Sequence, residues 1–243
     1  MTSDEGGSPV YGDKTCRIHN LLLAAYGQPK LKDQLDPLSE LILTILSQNT
    51  ADVNTARAYA SLRERFPTWH DVLAAPTQAV ADAIRIGGLA DVKAPRIQHI
   101  LEQLQAERGA LDLGFLAELP LDEARAYLTA LHGVGPKTAA CVLLFSLHRP
   151  ALPVDTHVHR VSLRLGLVPP KASAEKANML LEAQLAPDAY YPFHLNVIRH
   201  GREVCKAHKP LCAICPLTAE CDYYRDNPPT GKQLGHGSSR VMA

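Results

Sequence analysis

Four cysteines near the end of the chain, Cys205, Cys212, Cys215 and Cys221, fall within 17 residues in the spacing C-x6-C-x2-C-x5-C. A loop that short can wrap four thiolates around one centre. Pro210 and Pro216 stiffen its turns, so less entropy is lost on closure. Four thiolates suit tetrahedral zinc or a cubane iron-sulfur cluster. Zinc ribbons usually carry two C-x2-C knuckles; with one here, the spacing favours the cluster and leaves zinc open. The other cysteines, Cys16 and Cys141, stand in apolar helical contexts and read as small core residues.

A second group of reactive positions lies in Leu131-His132-Gly133-Val134-Gly135-Pro136-Lys137-Thr138, between the apolar runs ARAYLTAL and AACVLLFSL. This reads as a helix-hairpin-helix. Gly133 and Gly135 allow positive φ, and Pro136 suits the first turn of the second helix. The backbone N–H groups at that helix start form a ready site for a phosphate. Lys137 falls in the same first turn, where the helix dipole disfavours a cation, and a neutral amine is a nucleophile. Eighteen residues later, in Pro153-Val154-Asp155-Thr156-His157, Asp155 stands at another helix start. It reads as an N-cap whose carboxylate can also stabilise positive charge developing on a reacting group.

These residues need rigid elements to hold them. Leu38, Leu41, Ile42, Ile45 and Leu46 form one helical stripe, and Ile97, Ile100, Leu101 and Leu104 another. Asp36-Pro37, Thr77, Asp122 and Asp155 mark helix starts; Gly87-Gly88, Gly109, Gly133 and Gly166 mark stops. The pattern predicts about ten helices and no strand, an all-α architecture in which short helices bury their stripes against one another. Apolar residues make up 46% of 243 residues and charged ones 21%, an ordinary balance for a chain with a core. No apolar run approaches the ~18 residues that would cross a bilayer, and the N-terminal MTSDEGGSPVYGDK is not signal-like. The expectation is no membrane and a cytoplasmic location, nucleoid-associated in a bacterium, where clustered cysteines point to metal rather than disulfides. The formal net charge is +0, so any nucleic-acid footprint must be local. Arg199, Arg202, Lys206 and Lys209 supply such a patch against Glu203.

Together, LHGVGPKTA, VDTHVHRV and the cysteine pattern resemble the endonuclease III family of helix-hairpin-helix DNA glycosylases, in the family's order and spacing, over residues 15–225. The resemblance implies a two-domain fold with a DNA cleft between the domains. One is a six-helix barrel over 35–147. The other is a discontinuous iron-sulfur domain over 15–34 and 148–226, and residues 1–14 and 227–243 are expected to be flexible tails. It further implies a 4Fe-4S cluster on Cys205, Cys212, Cys215 and Cys221, damaged double-stranded DNA as partner, and a monomer. Lys137 would attack C1′ of a flipped oxidised pyrimidine of the thymine glycol type. A Schiff base would form, β-elimination would follow, and Asp155 would assist.

By the same resemblance Leu89 matches the wedge that enters the duplex, and Gln48 or Asn49 the side chain that fills the gap left by the flipped base. His132, Gly133 and Gly135 would approach the DNA backbone, as would Lys206 and Lys209 in the cluster loop. The sequence also departs from the family: Asn49 occupies the usual glutamine position, His132 replaces a proline, His159 stands where an aromatic is common, and the Gly87-Gly88 loop reads as one residue longer. These departures leave two alternatives: a mispair or other-base glycosylase of the same superfamily, or a non-catalytic DNA-binding iron-sulfur module.

Overall fold

The computed structural model describes residues 12–31 and 34–228, which form twelve α-helices joined by short 3-10 turns and contain no strand among them. The first helix, α1 (Asp13–Tyr26), starts inside the segment expected as a tail, with the Gly12 N–H donating to the Gln184 carbonyl. Residues 1–11, and all but the first two of 227–243, lie outside the described residues. The chain divides into two compact units.

The continuous unit, Leu31–Pro153, holds α2 (Pro37–Ser47), α3 (Asp52–Arg65), α4 (Trp69–Ala74), α5 (Thr77–Ile84), α6 (Ala90–Arg108), α7 (Leu121–Ala130) and α8 (Pro136–Cys141). A π-helical turn, Val142–Ser146, extends α8. The start of α2 is fixed by Asp36, whose carboxylate accepts the Ser39 N–H at 2.9 Å, and by Pro37, whose missing N–H costs nothing there. All five residues of the α2 stripe are fully buried, each contributing roughly 1.5 to 3 kcal/mol. The α2 helix packs on α8 and its π-helical extension, which ties the hairpin to the core. Short α4 is stopped from fraying by a capping box in which Thr68 and Asp71 exchange bonds.

Within this unit α6 is the longest helix, and its buried face includes two polar side chains, Lys93 and Gln98, beside Ala94, Ile97, Ile100, Leu101 and Leu104. Gln98 is satisfied: its amide donates to the carbonyls of Val72 and Ala75 at 3.0 and 2.7 Å, pinning the end of α4. The helix ends at Gly109, which takes the left-handed conformation as its C-cap.

The discontinuous unit, residues 12–30 with 154–228, joins α1 to α9 (Thr156–Leu165), α10 (Ala174–Glu182), α11 (Tyr190–Glu203) and α12 (Asp222–Asp226). Ile18 and Leu22 of α1 and Phe193 and Val197 of α11 are fully buried where the two helices pack. Polar ties complete the return of the N-terminal helix. Lys14 Nζ meets Asp222 at 2.7 Å, Arg17 Nε meets Glu220 at 2.8 Å, and Asn196 donates to the Gly27 carbonyl at 3.1 Å. Cys141 is buried as expected of a core residue, whereas Cys16 is half-buried, because the buried stripe of α1 runs through Thr15, Ile18 and Leu22 and leaves Cys16 at its margin.

Candidate functional site

The candidate residues of the continuous unit centre on the turn between α7 and α8. The α7 helix stops at Ala130, Gly133 takes φ 74, and α8 begins with Pro136 at its first position. Of the two glycines that allow positive φ, Gly133 uses it; Gly135 has φ −94 as the N-cap, an extended conformation open to any residue. The reason is close packing: a Cβ on Gly133 would lie 2.4 Å from Arg96 Nε, whereas one on Gly135 would meet nothing within 4 Å. His132 is exposed and stacks edge-on against His99, with centroids 5.2 Å apart. Lys137 is half-buried in the first turn of α8, and its amine has no hydrogen-bond or ion-pair partner among the described residues.

Two further loops of this unit carry the residues singled out as DNA probes. The α2 helix ends at Ser47, and Gln48 and Asn49 follow. Gln48 is half-buried and engaged: its Oε1 accepts from Arg96 at 2.8 Å, and its amide reaches Thr138 Oγ1, next to Lys137, at 3.5 Å. Asn49 is exposed, with φ 53. Leu89, at the start of α6, has φ 52 and is 53% exposed, as a wedge requires and a core leucine would not be. Sequence reasoning missed Lys93 and Arg96, both on α6, whose side chains reach these loops. The available signal was a lysine standing in the apolar stripe of Ala90, Ala94 and Ile97.

In the other unit, Asp155 caps α9. Its Oδ1 accepts the N–H groups of His157 and Val158 at 2.9 and 2.7 Å, and no bond to Oδ2 is found among the described residues. The carboxylate is thus anchored by one oxygen, with the other left over. Where the family usually has an aromatic, His159 uses its Nε2 against the Ala172 carbonyl at 2.8 Å, a structural bond. One turn on, α9 presents two arginines to the cysteine loop. Arg160 meets the carbonyls of Gly201 and Cys205 at 2.8 and 3.1 Å, and Arg164 those of Lys206 and Ala207 at 2.7 and 2.9 Å. The helix that carries Asp155 therefore also sets the course of the loop.

Cys205, Cys212, Cys215 and Cys221 line one cavity together with Val161, Arg164, Leu165 and His200. Among the described residues no three Cys, His, Asp or Glu side chains close on a point that would hold a single metal ion. Polar groups face the sulfurs: Arg164 lies 3.3 Å from Cys205 Sγ, and the Leu217 N–H and the His200 Nε2 lie 3.4 and 3.7 Å from Cys215 Sγ. Burial pushes the Cys215 thiol up to about 11, with the neighbouring thiols adding to it, and burial also raises Cys212 and Cys221. Thiols so placed resist ionisation until a cationic centre supplies the missing charge. Lys206 and Lys209 are exposed on the same loop, while Arg199 of the expected basic patch is paired with Glu203 at 3.0 Å.

The continuous unit carries a helical hairpin followed by the Lys137 amine, and the other unit carries the capped Asp155 carboxylate. The sequence profile of the HhH-GPD superfamily of base excision DNA repair proteins matches residues 42–187, and the chain belongs to that superfamily. It is an enzyme of the DNA glycosylase class. More particularly, it is 36% identical over 197 residues to endonuclease III of Thermotoga maritima, covering 81% of this chain and 88% of that one. It is 40% identical over 194 residues to a candidate DNA glycosylase of Arabidopsis thaliana, covering 76% of this chain and 66% of the plant protein. Its fold matches a solved endonuclease III trapped as a covalent intermediate with DNA. There the TM-score is 0.75 at 30% identity, over 87% of this chain and 97% of the other.

Proposed function

We propose that this glycosylase is bifunctional: it removes oxidised, ring-saturated pyrimidines such as thymine glycol from duplex DNA and then cleaves the strand 3′ of the abasic site. The observation that carries the reading is Lys137, a half-buried amine without an ion-pair partner among the described residues, in the helix turn that follows the Gly133 hairpin. Its nitrogen attacks C1′ of the flipped nucleotide. The C1′–N bond breaks, and the base leaves with the bonding pair and takes up a proton. The sugar ring opens to an imine on Lys137, loss of a 2′ proton follows, and the C3′–O bond breaks. Asp155, fixed through Oδ1, stabilises the positive charge that grows on the sugar as the base departs. The likeness to an endonuclease III caught covalently on DNA supports this chemistry.

DNA contact in this reading comes from Leu89 as wedge, from Asn49 opposite the flipped base, and from the hairpin backbone at His132, Gly133 and Gly135. Lys206 and Lys209 add phosphate contacts that make affinity depend on salt. The four cysteines hold a 4Fe-4S cluster, which fits one cavity ringed by four sulfurs and flanked by N–H donors. Its work is structural, to keep the basic loop rigid. One monomer suffices, because the proposed residues all come from a single chain.

The test is borohydride trapping on a thymine glycol duplex. Wild type gives a covalent complex and Lys137→Ala gives none; trapping that survives in the variant removes Lys137 from the role. A second reading, another lesion or a mispair as substrate, is favoured by Asn49 where the family usually carries glutamine. A panel of lesion duplexes read by the same trap separates the two.

A further inference from the structure

Lys93 is 2% exposed, and the chemistry proposed above does not use it. Its ammonium donates three hydrogen bonds: to the Leu46 carbonyl at 2.7 Å, to Thr50 Oγ1 at 2.9 Å and to the Gly87 carbonyl at 3.0 Å. These use all three donors, which is the condition under which a buried ammonium is tolerated. Burial lowers the proton affinity of the amine, with a smaller contribution from Arg96. A charge kept inside a core at such a cost calls for a reason, and its acceptors supply one.

Leu46 and Thr50 bracket Gln48 and Asn49; Gly87 stands two residues before Leu89. The Thr50 hydroxyl lies against the Gly87 carbonyl as well, so ammonium and hydroxyl together stitch one loop to the other. Asn49 and Leu89, one on each loop, both have a left-handed backbone, φ 53 and 52, and both are exposed. Leucine has no polar group to ease that conformation, and such strain persists only where the surroundings over-determine it. One helical turn along α6, Arg96 holds the Gln48 side chain back at 2.8 Å, which leaves Asn49 as the residue of the pair that is free to leave the surface.

We propose that Lys93 is a positioning residue that locks the Asn49 loop to the Leu89 loop, so that the side chain filling the gap and the wedge enter the duplex as one rigid pair. This rests on the reading of the chain as a base-flipping glycosylase. Three carbonyl and hydroxyl oxygens converging on one point repel each other, and a cation is the group that reverses that repulsion most strongly. Without it the two loops separate, each strained residue relaxes, and the nucleotide is extruded without its two props.

Lys93→Met keeps the length of the side chain and removes its donors; Thr50→Val removes the hydroxyl bridge and leaves the lysine. Each is compared with wild type in two single-turnover reactions, excision from a thymine glycol duplex and strand cleavage at a preformed abasic site, with a thermal melt of each protein. Excision needs a stacked base to be flipped and held out, whereas an abasic sugar flips with little resistance. Lys93→Met is expected to slow excision roughly 100-fold, the scale of an ångström-sized misplacement, and to slow abasic cleavage less than about threefold. Thr50→Val should show the same split, more weakly. Equal losses in both reactions, or excision by folded Lys93→Met within about twofold of wild type, overturn the proposal. If Lys93→Met does not fold, Thr50→Val decides it: a split supports the lock, and equal rates refute it. A wild type that neither excises nor traps sinks the underlying reading instead.

Discussion

Gly133 and Gly135 flank one residue in the same turn, yet the structure makes opposite demands on them, and substituting each by alanine separates the two. At Gly133 φ is 74, and a new Cβ would sit 2.4 Å from Arg96 Nε and 2.7 Å from its Cδ. The left-handed conformation alone costs an alanine roughly 1 to 2 kcal/mol. Arg96 is flexible enough to swing away, but only by giving up its 2.8 Å bond to Gln48, worth about 1 kcal/mol in a half-buried setting. Gly133→Ala should therefore lose about 2 to 3 kcal/mol, and at roughly 2 to 4 °C per kcal/mol its melting temperature falls by about 4 to 12 °C. Gly135→Ala, with open space around its Cβ and φ −94, loses only the modest preference of an N-cap for glycine over alanine, under about 1 kcal/mol. Scanning calorimetry measures the difference, and titration of a fluorescent abasic-analogue duplex should show weaker binding for Gly133→Ala. Equal melting temperatures for the two variants would refute the reasoning, as would a larger loss at Gly135.

Asp155→Asn keeps an N-cap of equal quality and removes the charge, so the melt should stay within about 2 °C of wild type while excision slows on the order of 100-fold. Full excision by that variant would reduce Asp155 to a cap. Protein prepared without oxygen should be yellow-brown, and Cys215→Ser should lose the visible absorbance; a colourless wild type carrying one zinc would overturn the cluster. The Tyr127 phenol, half-buried and bonded to Glu107 at 3.0 Å, is pushed up to about 12 by partial burial and that bond. Because the folded value is the higher one, its stabilisation is complete below about pH 10 and is lost as pH rises toward 12. Ultraviolet titration should show late-titrating phenols, and Tyr127→Phe should remove the one near pH 12.

Much of the architecture could be read from the sequence because local chemistry and burial agree. The α2 stripe is apolar at helical spacing, Asp36-Pro37 caps it, and all five stripe residues are fully buried. About ten helices were expected, and twelve are found among the described residues; the shortest are α12 and the six-residue α4 and α8. One turn and a half is too short to show a period, so pieces of this kind surface only through their caps, as Thr68 and Asp71 do for α4. Asp155 was legible as a cap for the same reason. Its second oxygen was not, since which lone pairs remain depends on the N–H groups that the fold brings to the first.

What sequence reading left open is where long-range packing decides. Gly133 and Gly135 carry the same residue type two positions apart, and only the neighbour from α6 distinguishes them. Of Gln48 and Asn49, both candidates for the gap, Arg96 engages Gln48, which no local pattern indicates. Leu89, matched to the wedge only by resemblance, is exposed and takes a backbone conformation that leucine resists. These three features share a cause, the stretch from the Leu89 cap through Arg96 of α6, whose polar side chains reach residues far away in sequence. A lysine inside an apolar stripe violates the local pattern, and its cost is tolerated only when something distant needs it. Here what it meets are the carbonyls behind two strained, exposed residues, so the break in the pattern is itself the pointer to the loops proposed to meet DNA.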